Sequence, residues 1–491
     1  MRSEKVSYCF TRIIYAFAAL LFCGIPLVFL LDRAQIMHPV YHIAAGVLFA
    51  AAAVFAAFLL SRFGGEIRTK DGVLAAIVAA VCFAVKLIVV LRWRVDPLTD
   101  YDYGTFYSTA KDLASTGQIE MHRYVALFPH IYGYSAFLSI FYRIFGTGVL
   151  VAPILNAVLS AAGAALLYLL VRRFGCKRTA LAAALLWTIC PSQTFFNIYV
   201  LSEPYYTTML FGAMLLADVI RVRIKDGTLL KEKQAQSVFA LLGIGVLLGL
   251  TQTARPIAVI PIIAMAGTLL CIDLPYRLRG AAERVAVLLV IVLVMSGVTT
   301  VMHARLNDAL GEPAASGVGY SYAVGLSEDT GGKWSYEVSG RLTEYIYKFE
   351  TADEVQRQFM EDVKELIRSG EIDWFPLVRV KYSNFLMRDD AAVAAYGGGV
   401  YRHVSLFSVA CNGFWLACAL FAAFGAVMAF LRKERSVMLL TSLYAIGLTL
   451  AQMLVEVAYR YHYSMYIAII PLAVYGLREL ADMFSGRRKH G

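Results

Sequence analysis

RWRVDPLTDYDYGTFYSTAKDLASTGQIEMHRYVALF, Arg92 to Phe128, lies between two long apolar runs, and its reading decides what the chain is. It is too polar to cross a bilayer and too aromatic to be a plain linker. Asp96, Asp100 and Asp102 fall within seven residues. Tyr103, Phe106, Tyr107, Ala110 and Leu113 follow at roughly helical spacing, which predicts a short amphipathic helix where the acids end. Carboxylates beside an interfacial helix belong at the mouth of a membrane bundle.

The flanking composition agrees. Hydrophobic residues make up 59% of the 491 and charged residues only 16%, with a mean hydropathy of +0.64. Soluble domains carry roughly a quarter charged residues, so an all-α polytopic membrane protein is predicted. The first apolar run, Phe10 to Leu31, is too long for a signal h-region and lacks a small-residue cleavage site, so it reads as a retained span. The eight cysteines show neither zinc nor disulfide-framework spacing. The net charge of +10 does not point to nucleic acid, because the basic residues sit in short connections between apolar runs.

Twelve spans are predicted, each near the ~20 residues that cross a hydrocarbon core: 10–31, 38–60, 73–91, 149–171, 179–197, 203–220, 238–254, 256–272, 284–302, 406–430, 437–455 and 462–481. Every second connection is basic. Arg2, Lys5 and Arg12 precede the first span, Arg62, Arg68 and Lys70 follow the second, and Arg172, Arg173, Lys177 and Arg178 follow the fourth. The pattern continues through Lys231 and Lys233, Arg277 and Arg279, and Arg432 and Lys433 to Arg487, Arg488 and Lys489. This positive-inside alternation predicts cytoplasmic termini and an extracytoplasmic Arg92–Phe128. The organisation expected is an N-terminal transmembrane hairpin (1–72), a transmembrane core (73–302) with the outer loop 92–148, an extracytoplasmic loop unit (303–405) and C-terminal transmembrane helices (406–491).

The unit 303–405 holds 16 of the 35 acids and 11 of the 45 basic residues, and an outward loop can be acidic without upsetting the orientation. Within it, Thr351-Ala-Asp-Glu354 reads as a capping box, Phe359, Val363, Leu366 and Ile367 form an apolar stripe, and Gly370 stops the helix. Trp374 to Met387 reads as a second amphipathic stretch along the membrane surface.

Ionisable residues gather at the outward ends of spans: Asp100 and Asp102, His130 after Pro129, Glu203 before Pro204, Arg255 before Pro256, and Arg460 with Tyr461 and His462. Lys86 lies a few residues inside the third span. Each has a plain reading. Glu203 suits a helix start, Arg255 and Arg460 suit interfacial anchors, Lys86 could snorkel, and Asp96 reads as a loop residue ahead of Pro97. Taken together they are costly, because an ionisable group at membrane depth costs ~2.5–3.5 kcal/mol. Arginine forks bind phosphate oxygens and a positioned carboxylate takes a proton, so the set suits an anionic phosphate and a hydroxyl to be activated. Outside the cell no nucleotide donor is at hand, and an activated donor there is lipid-linked.

In Pro97-Leu-Thr-Asp-Tyr-Asp102-Tyr-Gly-Thr-Phe106-Tyr107-Ser-Thr-Ala110, Leu201-Ser-Glu203-Pro204, and Arg460-Tyr461-His462, the chain resembles the GT-C superfamily of integral-membrane glycosyltransferases. The resemblance is to the bacterial branch related to protein O-mannosyltransferases and the lipid A aminoarabinose transferase. Gly325 and Gly331-Gly332-Lys-Trp334 resemble the Gly-rich segment of its Gram-positive members. The resemblance implies an inverting transferase that takes a sugar from a polyprenyl phosphate such as undecaprenyl phosphate, in the lipid bilayer, and gives it to an extracytoplasmic acceptor. It implies Asp102 as general base, with Asp100 as the fallback. On this reading Arg255, Arg460, Lys86 and Tyr461 hold the donor phosphate and lipid, while Glu203, His130, Tyr107 and His462 position sugar or acceptor. The family's motif usually follows the first span and here follows the third, so the first two spans resemble an added hairpin. Tyr103 stands where many relatives have Glu, which weakens the case for a divalent metal, and no cofactor is expected. Two other classes compete: a polymerase or ligase of lipid-linked polysaccharide, and a transporter or lipid flippase.

Overall fold

A backbone inside hydrocarbon must satisfy its own hydrogen bonds, and helices do this within a single segment. The regular elements among the described residues are helical throughout. The structure, a computed structural model, describes residues 2–63, 66–99, 101–229, 231, 234–273, 278–397 and 402–484. Asp100 and the basic residues Lys233, Arg277, Arg487, Arg488 and Lys489 lie outside them.

The first half runs α1 (Arg2–Leu31), α2 (Pro39–Phe63), α3 (Asp71–Arg92), α4 (Asp102–Ser115), α5 (His122–Leu127), α6 (His130–Phe145), α7 (Val151–Arg172), α8 (Lys177–Ile189), α9 (Pro191–Phe196), α10 (Glu203–Lys225) and α11 (Gln234–Ala254). Then come α12 (Val259–Gly267), α13 (Leu278–Leu310), α14 (Gly319–Gly325), α15 (Tyr336–Lys348), α16 (Ala352–Ser369), α17 (Trp374–Leu386), α18 (Ala391–Ala394), α19 (Val404–Arg432), α20 (Val437–Gln452) and α21 (Tyr466–Phe484).

Among the described residues seven helices, α1, α2, α3, α7, α11, α13 and α19, are long and apolar enough to cross a membrane. This makes a multi-pass membrane protein. All twelve expected spans are helical, yet five do not reach that standard among the described residues. The stretch 179–197 breaks at Cys190–Pro191 into α8 and α9, since a proline cannot donate to the preceding turn. The stretch 256–272 passes from α12 into a π-helical turn, Thr268–Ile272, and α20 has 16 residues. Helix α10 opens on Glu-Pro-Tyr-Tyr-Thr-Thr, and α21 carries Arg478, Glu479 and Asp482.

The bundle closes on itself in an order the chain does not follow. Helix α3 packs on α7, α10 on α7 and α11, and α11 on α13. The N-terminal pair packs far along the chain, α1 on α19 and α20, α2 on α19 and α21. The expected amphipathic helix of the first loop is α4, which buries Tyr103, Phe106, Tyr107, Ala110 and Leu113 against α6. Phe106 meets Tyr134 edge-on at 5.7 Å, and Tyr107 meets Tyr142 at 5.8 Å. The segment Ile131–Phe145 lies in α6, which packs on both α4 and α11.

Helices α14 to α18 lie within 303–405 and tie the first long connection to the last one. On one side Ala315 N donates to Ala126 O at 2.8 Å, and Arg123 donates to the Phe349 and Glu350 carbonyls at 2.7 Å. On the other, Glu456 N donates to Ser321 O and Val457 N to Gly332 O, both at 2.8 Å. Helix α16 has the capping box read from Thr351 and Glu354, and Gly370 ends it in the left-handed conformation. Replacing Thr351 by Ala is expected to cost about 1 kcal/mol. The check is hydrogen exchange, which should speed up across Ala352–Ser369 and leave α19 unchanged. Helix α17 does not simply float on a surface: Tyr382 donates to Leu21 O of α1 at 2.6 Å, and Arg379 pairs with Asp32 at 2.6 Å.

Candidate active site

Helix α4 begins at Asp102, behind a tight turn. Asp96 Oδ1 accepts from Leu98 N at 3.0 Å, so Asp96 is a turn residue as read. Gly104 packs so closely on that turn that a Cβ there would stand 2.0 Å from Thr99 O. The turn therefore sets where the first residue of α4 points. The Asp102 side chain, 45% exposed, forms an ion pair through Oδ2 with Nη2 of Arg460, a residue 358 positions away. Arg460 holds the Asp102 carboxyl below the ordinary carboxylate range, against the upward pull of burial.

Arg460 sits in the connection 453–462 between α20 and the short turn ahead of α21. Its Nη1 donates to the Tyr396 hydroxyl, just beyond α18. Tyr396 in turn closes an aromatic cluster with Tyr101, Tyr103 and Tyr199, ring centroids 5.4–5.9 Å from its own. Tyr103 thus builds an aromatic wall beside Asp102. Among the described residues no three His, Cys, Asp or Glu side chains stand together to hold a metal ion.

Arg255 follows the last residue of α11, where Pro256 ends the helix. Its Nη2 lies 3.7 Å from Glu203 Oε1 and has no hydrogen-bond partner among the described residues, and neither has the buried Glu203 Oε2. Buried polar atoms are nearly always bonded, so these two are reserve capacity at the site. The Arg255 guanidinium lies over the Tyr461 ring at 4.4 Å, with Arg460 at 5.4 Å from the same ring. Tyr461 donates its hydroxyl to Glu456 Oε1 at 3.1 Å. Burial pushes the Glu456 carboxyl up, while Arg460 pulls it down less strongly. Two carboxylates near one arginine thus differ in proton affinity, Asp102 low and Glu456 high.

His130 opens α6 near this group. Gly133, one turn on, lets α6 touch the end of α11 so closely that a Cβ would meet Thr253 C and O at 2.4 Å. Burial first, then Arg255, pushes His130 down to about 3, so its ring is neutral. Asp102, Arg460, Arg255, Glu203, Tyr461 and His130 therefore share one end of the bundle.

Three other expected residues lie elsewhere. Lys86 neither snorkels nor joins the arginines: fully buried, it donates to Thr194 Oγ1 at 2.5 Å and to Trp187 O at 3.4 Å. Tyr107 is packed against Tyr142 and donates to Thr147 O at 3.1 Å. His462 is sealed in the core, stacked 4.4 Å from Trp415 and 3.0 Å from Asp389 Oδ1. Asp389 is the hub of a buried polar knot. Ser192 and Tyr466 donate to it, its own N–H donates to Asn412 Oδ1 at 2.7 Å, and Asn412 Nδ2 reaches both Asp390 and His42 of α2.

The protein-family profiles searched do not match the sequence, and neither do the curated proteins. Among solved structures, the chain is similar in fold to the archaeal oligosaccharyltransferase AglB from Archaeoglobus fulgidus, in complex with an inhibitory peptide and a dolichol-phosphate. That match has a TM-score of 0.46 at 13% identity and covers 85% of this chain and 51% of the other. It is also similar to ArnT from Cupriavidus metallidurans bound to undecaprenyl phosphate, with a TM-score of 0.34 at 13% identity over 84% of this chain and 77% of that one. The chain spans about half the length of AglB. These similarities concern the path of the chain and assign no role to any side chain.

Glu456, Tyr396, Asp389 and Lys381 escaped the sequence reading. Glu456 was within its reach, being a lone acid at the end of an apolar stretch like Glu203. Lys381, on α17, is buried and donates to Gly325 O at 2.6 Å and Val455 O at 2.8 Å, next to Glu456. Burial lowers it to about 8. Because the folded value is depressed below the ordinary lysine range, folding stability should rise as pH climbs from about 8 to about 10.5, by at most about 1.4 kcal/mol per unit. Thermal melts of the wild type and Lys381→Met across that window check this, and the variant's curve should lack that rise.

Proposed function

We propose that this protein is a GT-C-type glycosyltransferase that moves a sugar from a polyprenyl-phosphate donor, such as undecaprenyl phosphate, to an extracytoplasmic acceptor hydroxyl. The observation that carries the reading is the meeting of Asp102 with Arg460, beside Arg255 and its unbonded Nη2. A carboxylate that can take a proton stands next to two arginines that can hold a leaving phosphate. The alternation of basic connections supports an outward-facing site with both termini in the cytoplasm.

In this scheme the donor phosphate engages the guanidinium of Arg460 and the Nη2 of Arg255 that carries no hydrogen bond among the described residues. Arg460 is then shared, its hold on Asp102 weakens, and the carboxylate gains proton affinity when the acceptor is in place. The acceptor oxygen attacks the anomeric carbon from the face opposite the phosphate. The carbon–oxygen bond to the phosphate breaks, polyprenyl phosphate leaves with the electron pair, and the acceptor proton passes to Asp102. The anomeric configuration inverts. The tyrosines around Tyr396 offer apolar faces to the sugar ring, and the unit 303–405 covers the site and selects the acceptor.

The test is a comparison of cells with and without the protein, reading both the envelope glycans and the pool of polyprenyl-phosphate sugars. Loss should deplete one envelope sugar and build up its lipid-linked form. An unchanged pool together with an unchanged envelope would overturn the reading.

A further inference from the structure

At the basic end of the bundle the first turns of α1 and the end of α19 enclose a cleft of about 520 Å³. Lys5 and Arg12 of α1 and Lys433 after α19 supply its charge, and Tyr8, Ile13 and Phe430 its apolar walls. Lys5, Tyr8 and Arg12 recur at helical spacing, so they share one face. The Arg12 guanidinium lies 5.3 Å from the Phe430 ring, and Lys433 Nζ lies 5.4 Å from Tyr8. No carboxylate lines the cleft among the described residues, and none of the three cations forms an ion pair there. The nearby Asp273 is already answered by Arg221 at 2.9 Å and Arg435 at 3.8 Å. Lys433 itself caps α19 at φ 53, a left-handed backbone position that ordinarily goes to glycine. A costly residue is thus kept where it brings a charge into the cleft.

We infer that this cleft binds the phosphate headgroup of an anionic phospholipid, with an acyl chain lying along the exposed apolar face of α1. That face continues from the cleft through Ile13, Phe17 and Leu20, which are 44%, 57% and 69% exposed. Three cations with no carboxylate among them favour an anionic headgroup, rings hold the ammonium and guanidinium stems in place, and the apolar stripe starts where a glycerol backbone would end. A free anion has no use for such a stripe. The site lies away from Asp102 and Arg460 and does not depend on the proposed reaction.

The experiment uses the full-length protein in nanodiscs of phosphatidylcholine with a minor fraction of phosphatidylglycerol, then native mass spectrometry of the lipid that stays bound. The wild type should retain phosphatidylglycerol in preference to phosphatidylcholine. Each cation replaced among Lys5→Gln, Arg12→Gln and Lys433→Gln should lower that retention about fivefold. The charge-matched control Lys348→Gln, Arg357→Gln, Lys364→Gln, on α15 and α16, should retain the lipid as the wild type does. Lys433→Gly keeps the left-handed backbone without strain, so it should melt no lower than the wild type while holding less phosphatidylglycerol, which separates lost binding from lost folding. Equal retention of both lipids by the wild type would overturn the assignment. So would an unchanged preference in a variant carrying Lys5→Gln, Arg12→Gln and Lys433→Gln together, or displacement of the lipid by inorganic phosphate alone.

Discussion

Asp102→Asn is expected to lower sugar transfer by about 10²–10⁴-fold while leaving a folded, membrane-inserted protein. Asparagine matches aspartate in size and keeps a carbonyl oxygen for Arg460, so the pairing geometry survives and only the proton-accepting charge is lost. The half-exposed side chain makes a large stability cost implausible, since exposed ion pairs contribute about 0–1 kcal/mol. The measurement is transfer from a polyprenyl-phosphate sugar in proteoliposomes, with donor binding followed separately. Donor binding should hold or tighten, because Arg460 no longer answers a carboxylate. An Asp102→Asn protein with ordinary turnover would remove Asp102 from its role, and Asp100→Asn would then be the variant that should fall silent.

Arg460→Gln should do more than lose a phosphate contact. Arg460 pairs with Asp102, donates to Tyr396 and lies over Tyr461, so its removal frees three neighbours at once. Donor affinity should fall by about 10–10²-fold, since a hydrogen bond to a charged group contributes about 1.5–3 kcal/mol. A second signature separates this from simple unfolding. With the cation gone the Asp102 carboxyl should titrate higher, so any residual activity should need a higher pH than in the wild type. Arg460→Lys should restore charge but not the two-pronged contact, and should recover only part of the affinity. A residual pH profile that matches the wild type would disconnect Arg460 from Asp102.

Much of the fold was legible because hydrocarbon leaves few choices. Apolar length placed helical stretches, seven of them long and apolar enough to span among the described residues, and the capping box with its terminal glycine placed α16 from Thr351 to Gly370. Length alone could not show that Pro191 breaks one stretch or that the run after α12 turns π-helical, since these depend on what packs beside them. For the candidate site, the ionisable residues read at span ends include Asp102, Glu203, Arg255 and Arg460, which the fold brings to one place. The same rule drew in Lys86 and His462, because burial cost says a partner exists without saying which. Lys86 found Thr194 and Trp187, and His462 found Asp389. Tyr396 lay hidden because a tyrosine in a glycine-rich connection carries no signal until Arg460 is folded against it.

The buried knot around Asp389 has a consequence for how the chain can be cut. Its path runs from His42 on the second helix through Asn412 and Asp389 to His462, two residues from Arg460. A hairpin that resembles an accessory by sequence is in this way bolted to the segment bearing the arginine. Trimming residues 1–70 should therefore not yield a smaller working enzyme, but a protein whose final connection is loose. His42→Leu is the gentler version of that cut. It should leave the protein inserted, while limited proteolysis between Val455 and Tyr463 becomes markedly faster.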